Sequence, residues 1–413
     1  MNTGFYPADI LLPYSQNMKK WSVVACDQYT GSPEYWKEIY EWVGSSPSTL
    51  HLTLPEIFLG QPGTEARIDA IHKHMEEYLE DRILRRHLNT MVYVERTLEN
   101  GRVRKGLVGA LDLEAYDFTP GALSLCRPTE ETVASRIPPR QKVRMGAPLE
   151  SPHALILIDD ASHSVIAPLE AQKEHLKKVY DFELMQHGGH IKGYTLNEAL
   201  MTQVNDALTA LKDASRQKYG SPLLYLVGDG NHSIATAKAC YERLKKNLGE
   251  KAKEHPARYM LVEITNLHSS GTVFEPIHRV LYNVNKADLF AELSSLHPQN
   301  GTEGQTLGIY ADGVRESFTL TNPTSKLTVG TLQPLIDDYI ARHPEVEVDY
   351  IHEEQVLKNC CKAKNSVGFI LPAIEKDCFF ESIVKDGILP RKTFSMGESN
   401  DKRYYLECRK ITL

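Results

Sequence analysis

Three residues that could handle protons or an anion share one glycine-marked turn near the middle of the chain: Asp229, Asn231 and His232. The turn follows an apolar run at 223–227 and precedes apolar residues at helical spacing, so we predict a strand, a tight turn and a helix beginning near His232. The free N–H groups and positive dipole of such a helix end form a seat for phosphate. Asp229 and His232 stand beside that seat, where they could transfer protons or bind a metal ion. An ordinary strand–helix junction with a capped helix is the alternative.

A second aspartate, Asp27, follows a run at 21–26 that is typical of a strand. Residues just past the end of a strand often belong to a functional site. The alternative is that Asp27 accepts a hydrogen bond in an Asx-turn. These residues alone leave the two interpretations equally open.

Basic residues are concentrated between 127 and 144, where five arginines and lysines, including Arg127 and Arg140, accompany only two acids. Prolines at 128, 138 and 139 argue against one continuous helix. Guanidinium groups bind two oxygens of a phosphate or carboxylate at once, so this segment is a candidate anion-binding site. A solvated loop with structural ion pairs is the alternative. His278 and Arg279 form a further candidate pair for an anion, with a capping histidine and a surface arginine as the alternative.

Composition and charge are those of an ordinary globular protein and argue against several other classes. The chain has 413 residues, of which 41% are hydrophobic and 24% charged, as in ordinary globular proteins. Its net charge of −7 argues against a broad nucleic-acid surface. We expect no membrane-spanning segment and no secretion signal. Seven scattered cysteines support neither a disulfide framework nor a zinc site, so a reducing cytoplasm is the expected location.

The remaining patterns predict a mixed α/β chain in two domains. Helices are expected over 34–43, 64–87, 168–186, 196–218, 332–342, 353–361 and 376–386. Strands are expected over 21–26, 90–98, 103–113, 153–158, 223–227, 257–264, 306–310, 316–321, 346–351, 366–371 and 403–409. Asn100-Gly101 between two strands predicts a hairpin. A polar stretch at 299–304 predicts a boundary between domains 1–299 and 300–413.

Several of these segments together resemble the bacterial domain-of-unknown-function family 1015 over nearly the whole chain. The similar segments are Ala8-Asp9, Cys26-Asp27, Arg127-Pro128, Gly228 to His232, Pro276 to Arg279 and Leu389 to Thr393. The central motif also resembles the Asp-Gly-x-His-Arg turn of the ParB and sulfiredoxin fold, where the turn meets nucleotide phosphates. One branch of that fold is a free-serine kinase. Ser233 stands here in place of the motif's arginine, so the cation would have to come from elsewhere, for example Arg127, Arg140, Lys192 or Arg279.

This resemblance implies a ParB/sulfiredoxin-like core with helical insertions, followed by a smaller C-terminal α+β domain. It also implies phosphoryl transfer to a small hydroxylated metabolite of the serine or phosphoserine class. In this hypothesis Asp27 is the general base, Asp229 and His232 orient phosphate or Mg²⁺, and ATP or ADP is the nucleotide. The anion-binding residues are Gly230, Asn231, Ser233, Arg127, Arg140 and Arg279.

Two alternatives remain at this point. The first is a ParB-like, non-enzymatic module that binds a nucleotide or nucleic acid, although the acidic net charge disfavours nucleic acid. The second is a metabolite-binding protein without chemistry. In each case the expected partner is a small phosphate-bearing molecule rather than a membrane, and a homodimer is compatible with the sequence.

Overall fold

A computed structural model describes residues 2–14, 17–299 and 304–413. The strands are β1 (Phe5–Tyr6), β2 (Ala8–Pro13), β3 (Leu84–Thr90), β4 (Val92–Thr97), β5 (Val103–Asp112), β6 (Cys126–Pro128), β7 (Leu149–Glu150), β8 (Leu155–Ile158), β9 (Lys177–Glu183), β10 (His190–Thr195), β11 (Tyr225–Asp229), β12 (Tyr259–Asn266), β13 (Glu275–Pro276), β14 (His278–Tyr282), β15 (Pro298–Gln299), β16 (Gln305–Ala311), β17 (Val314–Leu320), β18 (Glu347–Ile351), β19 (Val367–Ile370), β20 (Phe394–Ser395) and β21 (Arg409–Lys410).

Helices separate many of these strands. The α-helices are α1 (Met18–Trp21), α2 (Pro33–Val43), α3 (Thr64–Glu80), α4 (Ile137–Arg144), α5 (Ala167–Gln172), α6 (Glu198–Tyr219), α7 (Asn231–Leu248), α8 (Lys286–Leu293), α9 (Thr328–Arg342), α10 (Glu354–Cys360) and α11 (Lys376–Asp386). None of those in the described ranges is both long and apolar enough to cross a lipid bilayer.

The chain divides into two units. Unit 1 comprises Met1–Pro128, Thr132–Thr272 and Gly397–Leu413, and unit 2 comprises Thr129–Glu131 and Val273–Met396. The division after Thr272 differs from the boundary at 299/300 that we placed from the sequence, because β14 pairs with both β18 and β19 and so belongs with the later strands. Residues 300–303 of the expected boundary lie outside the described part of the chain.

Unit 1 is built on a large mixed sheet. Its strand order is β6-β11-β8-β12-β5-β4-β10-β9, with β1 beside β5. Strand β11 runs parallel to β6 and antiparallel to β8, so the end of β11 lies beside the start of β8. The candidate site lies at this edge of the sheet.

Alternating side chains of the sheet divide unit 1's core into two layers, as strand geometry requires. On β4, Val92 and Val94 join one apolar cluster, whereas Tyr93 joins the other. The second cluster also receives helix α7 through Ile234, Ala237 and other residues at helical spacing. This packing fixes the N-terminal end of α7 against the sheet.

Unit 2 has its own sheet, with the order β15-β17-β16-β19-β14-β18, and a separate β13–β20 pair. A small apolar cluster that includes Val280, Leu357 and Ile370 packs between this sheet and helix α10. The two units together confirm the predicted mixed α/β class.

Several predicted elements differ from the structure. The range 168–186 holds the short helix α5 and then strand β9, because Lys177–Glu183 pair with β10 as an antiparallel neighbour. His187-Gly188-Gly189 is consequently the turn between β9 and β10. The long helix from Thr64 ends at Glu80 rather than His87, and β3 follows it.

Two predicted strands are mostly irregular. The segment 21–26 forms a single bridge, from Val24 to Tyr404. The tail 403–409 forms that bridge, a second one from Cys408 to Leu11, and the start of β21. The apolar residues of both segments pack into the same cluster of unit 1's core, so their pattern has a tertiary reason and is not that of a strand.

Candidate functional site

Strand β11 leads into helix α7 through Gly230, as the central motif predicts. Gly230 has a left-handed backbone with φ 82°, which glycine adopts without strain. A Cβ atom there would lie 2.9 Å from the Cα of Ala154, so a larger residue would collide with the backbone that enters β8. Among the described residues no side chain caps α7. The first N–H groups of this helix, from Asn231 to Ser233, are therefore a suitable binding site for an anion.

Asp229 closes one side of this helix end. Its Oδ1 accepts a hydrogen bond from the Gly230 N–H at 2.9 Å. Its Oδ2 lies 3.7 Å from the Nζ of Lys402, which comes from the C-terminal segment. The Gly230 N–H is thus already bonded within the protein, and the ammonium of Lys402 lies beside the carboxylate that accepts this hydrogen bond.

Asp27 faces the same region of unit 1. Its Oδ1 accepts from the side-chain amide of Gln28 at 3.0 Å, and its Oδ2 lies 3.9 Å from Nε2 of His153. Burial opposes ionisation of Asp27, but His153, the Gln28 amide and Lys402 outweigh it and lower the pKa of this carboxyl. Asp27 is therefore ionised at neutral pH.

His153 is held from behind by Tyr405. The Tyr405 hydroxyl oxygen accepts from the Cys26 N–H at 3.1 Å and lies 3.1 Å from Nδ1 of His153. This contact orients the imidazole so that its Nε2 faces Asp27. Burial and the neighbouring Asp27 raise the pKa of Cys26 to about 12, so its thiol is not a nucleophile at neutral pH.

His232 is neutral at physiological pH. Burial and the positive charges of Arg140 and Arg136 lower the pKa of His232 to about 4, whereas Asp27 acts in the opposite direction. Its Nε2 accepts a hydrogen bond from the Val133 N–H at 3.2 Å, which assigns the proton to Nδ1. His232 is therefore an N–H donor in this site, not a cation.

Arg140 reaches the site with a partner that the sequence did not reveal. Its guanidinium forms an ion pair with Glu56, and its Nη1 also donates to the Arg136 carbonyl at 2.7 Å. The Glu56 N–H in turn donates to the Cys26 carbonyl at 2.9 Å, which links this pair to the loop carrying Asp27. Helix α4 begins within the basic segment because its prolines occupy the first turn, where a missing N–H costs little.

Arg127 does not join the site, contrary to the prediction. It donates to the Ser221 hydroxyl at 2.8 Å and to the Ser124 carbonyl at 3.1 Å. Ser221 precedes β11, whereas Gly230 follows it, so Arg127 serves the opposite end of that strand. Its role is structural.

Arg279, the other predicted anion-binding arginine, is a buried clamp inside unit 2. Its donors bind the Gln333 side chain and the carbonyls of Ile277, Arg391 and Lys392. Because all three nitrogens of the guanidinium are engaged, Arg279 stabilises the unit and does not bind an anion. Lys192, a further candidate for the missing cation, pairs on β10 opposite Asp181.

The site offers few ligands for a metal ion. No cluster of three or more histidine, cysteine, aspartate and glutamate side chains with suitable geometry occurs within the described ranges. Asp27 and Asp229 are nevertheless carboxylates of the kind that hold Mg²⁺ together with substrate phosphates.

The low pKa of His232 makes stability depend on pH. An unfolded histidine has a pKa of about 6.5, so on acidification the unfolded chain binds this proton first. The stability contributed by neutral His232 is complete above about pH 6.5 and is lost as the pH falls toward 4. We expect the free energy of unfolding of His232→Gln to depend less on pH in this range than that of wild type. The slope should differ by at most about 1.4 kcal/mol per pH unit. Urea unfolding near pH 7, 6 and 5 measures it. The exposed His175→Gln is the control, and parallel curves for His232→Gln and wild type would contradict the assignment.

These features define a mixed α/β protein with a polar site at a strand–helix junction. The chain belongs to the family described as "Protein of unknown function (DUF1015)", whose model matches residues 11–339. No curated protein matches it significantly.

Three solved structures show distant similarity. A conserved hypothetical protein from Pyrococcus furiosus is 11% identical, with 73% of this chain and 94% of that chain covered and a TM-score of 0.34. A free serine kinase in complex with AMP is 11% identical, with 74% and 91% covered and a TM-score of 0.38. SbnI from Staphylococcus aureus, truncated at its C-terminus, is 12% identical, with 70% and 83% covered and a TM-score of 0.36.

Proposed function

We propose that this protein is an enzyme of phosphoryl transfer, which moves a phosphoryl group between a nucleotide and the hydroxyl of a small metabolite. The observation that carries the proposal is the grouping in unit 1 of an ionised Asp27, a neutral His232 and Lys402 beside the uncapped start of α7. Phosphoryl transfer depends mainly on positioning and charge neutralisation, and this group supplies both.

Each residue has a distinct role in the proposed reaction. The first N–H groups of α7 and the Nδ1–H of His232 bind phosphate oxygens, and Lys402 and Arg140 neutralise their charge. Asp27 accepts the proton of the attacking hydroxyl, and His153 stabilises the carboxylate before transfer. Asp229 would hold Mg²⁺ that arrives with a nucleotide, and the ion would supply positive charge next to the phosphates.

The finer identity comes from the resemblance of the central motif to the ParB and sulfiredoxin fold and its serine kinase branch. On that basis we propose a core of this type, serine or phosphoserine as the metabolite, and ATP or ADP as the nucleotide. A cytoplasmic location and a homodimer belong to the same proposal. Lys402 supplies the charge that is missing at Ser233.

A turnover assay tests this function directly. Purified protein is incubated with Mg²⁺, serine and either ATP or ADP, and phosphoserine is measured by mass spectrometry. Threonine, homoserine and glycerate are offered in parallel, so that a hydroxylated metabolite other than serine is also detected. Formation of a phosphorylated product is expected. Binding of ADP without any such product would overturn the enzymatic proposal.

That outcome would favour the second candidate, a ParB-like module that binds a nucleotide without chemistry. Two observations favour it: Ser233 replaces the motif's arginine, and Asp229 already occupies the Gly230 N–H. Binding to DNA that weakens steeply with salt would identify a nucleic-acid version. Absence of DNA binding at low salt would exclude it.

A further inference from the structure

We propose that Lys402 is the cation that binds the ligand's phosphate at the start of α7, and that Arg96 and Arg104 are the residues that position it. The inference deepens the proposed function and rests on its site. It adds a buried support for this lysine that lies within the same unit.

Lys402 lies beside the carboxylate of Asp229. Its Nζ lies 3.7 Å from Asp229 Oδ2, its side chain is only 14% exposed, and its charge acts on Asp27 as well. A lysine in this position neutralises acids that would otherwise repel phosphate. A bound phosphate group then competes with the carboxylates for the ammonium.

The backbone that carries Lys402 is fixed by Arg96. This arginine is only 2% exposed, and its guanidinium donates to the consecutive carbonyls of Asn400, Asp401 and Lys402. Its Nε and Nη2 also donate to the Gly188 carbonyl, at 3.1 and 2.9 Å. One planar side chain thus holds three successive peptide groups, and a flexible lysine ammonium could not do the same.

Arg104 supports the same turn from a neighbouring strand. Its Nη1 donates to the Asp401 carbonyl at 2.9 Å. Its Nε is buried and has no hydrogen-bond partner in the described part of the chain. The side chain lines a small cavity together with Arg96, Glu263 and Arg403.

Binding of inorganic pyrophosphate and of ADP, measured by calorimetry with and without Mg²⁺, tests the role of Lys402. We expect Lys402→Met to weaken binding of both about tenfold or more, and Lys402→Arg to stay within about threefold of wild type. The matched control is Lys410→Ala, an exposed lysine of the same segment, which should bind as wild type does. Equal binding by Lys402→Met and wild type would overturn the inference.

Arg96→Lys tests the positioning role, since it keeps a positive charge but loses the planar fork. We expect weaker pyrophosphate binding with an unchanged circular dichroism spectrum, and no further loss when Lys402→Met is added, because both changes remove one interaction. Additive losses would contradict positioning through Lys402. If Arg96→Lys does not fold, Arg104→Lys replaces it in the double-mutant cycle with Lys402→Met. We then expect weaker pyrophosphate binding by Arg104→Lys and no further loss in the double variant.

The proposed function and this inference can fail separately. Pyrophosphate binding that depends on Lys402, without a phosphorylated product from any metabolite, would refute the enzyme and keep the inference. If Lys402→Met forms the phosphorylated product as well as wild type does, the inference about Lys402 is refuted and the proposed enzymatic function is kept. Absence of binding by the wild-type protein would refute the inference outright.

Discussion

Replacement of Asp27 by asparagine should reduce formation of the phosphorylated product by about 10²–10⁴-fold, the usual contribution of a positioned general base. Asparagine keeps the size and the hydrogen bond from Gln28 but cannot accept the proton of the hydroxyl. Binding of ADP should stay within about threefold of wild type. Initial rates by mass spectrometry and calorimetric binding constants give the two quantities.

Asp159→Asn is the matched control for this experiment. Asp159 also pairs with a histidine, since its Oδ1 lies 2.7 Å from Nε2 of His268, but it follows the end of β8, whereas the site lies at the start of that strand. Its turnover should equal that of wild type. Full activity in Asp27→Asn, or equal loss in both variants, would remove Asp27 from the mechanism.

Replacement of Arg403 by methionine should lower the free energy of unfolding by about 3–5 kcal/mol. The Arg403 side chain is 5% exposed and forms ion pairs with Glu263 at 2.8 Å and with Glu407 at 2.7 Å. Methionine preserves much of the volume but leaves two buried carboxylates without their cation. Urea unfolding monitored by circular dichroism measures the loss.

A second substitution separates this charge effect from lost packing. Glu263→Gln in the Arg403→Met background should recover part of the stability, because it removes one of the unpaired carboxylates. The exposed Lys142, which pairs with Glu65, is the surface comparison, and Lys142→Met should cost no more than about 1 kcal/mol. If Arg403→Met and Lys142→Met cost the same, the buried network does not stabilise unit 1 as we describe.

Local patterns in the sequence predicted much of the secondary structure. The glycine-marked turn, the helix that follows it and the hairpin around Asn100-Gly101 depend on neighbouring residues, so their signals are complete within a short window. The helix at 376–386 was predicted with the same limits that the structure gives. Predictions failed where tertiary packing sets the pattern, as at 21–26 and 403–409.

The candidate site was only partly accessible from the sequence. The sequence singled out Asp27, Asp229 and His232 as candidates because each stands at a predicted strand or helix end. Lys402, His153 and Tyr405 were missed, since long-range packing brings them to the site and no motif marks them. The only available signal for His153 was its place at the start of a buried strand.

The two arginines show why residue type alone misleads. Arg127 and Arg279 carry the donors that an anion requires, but backbone carbonyls accept the same hydrogen bonds. The tertiary structure determines which acceptor an arginine binds, and the local sequence of a basic segment does not predict it.

The pairing of the earliest and latest segments of unit 1 has a consequence for biosynthesis. The Trp21 indole donates to the Leu406 carbonyl and the Ser22 hydroxyl to the Tyr405 carbonyl, so these partners are translated 385 and 383 residues apart. At about 5–20 residues per second, a ribosome needs on the order of 20–80 s to cover that distance. During this interval the apolar side chains near Trp21 lack their final packing partners on the nascent chain, and chaperones have time to bind them. The proposed active site can form only after Lys402 has left the exit tunnel.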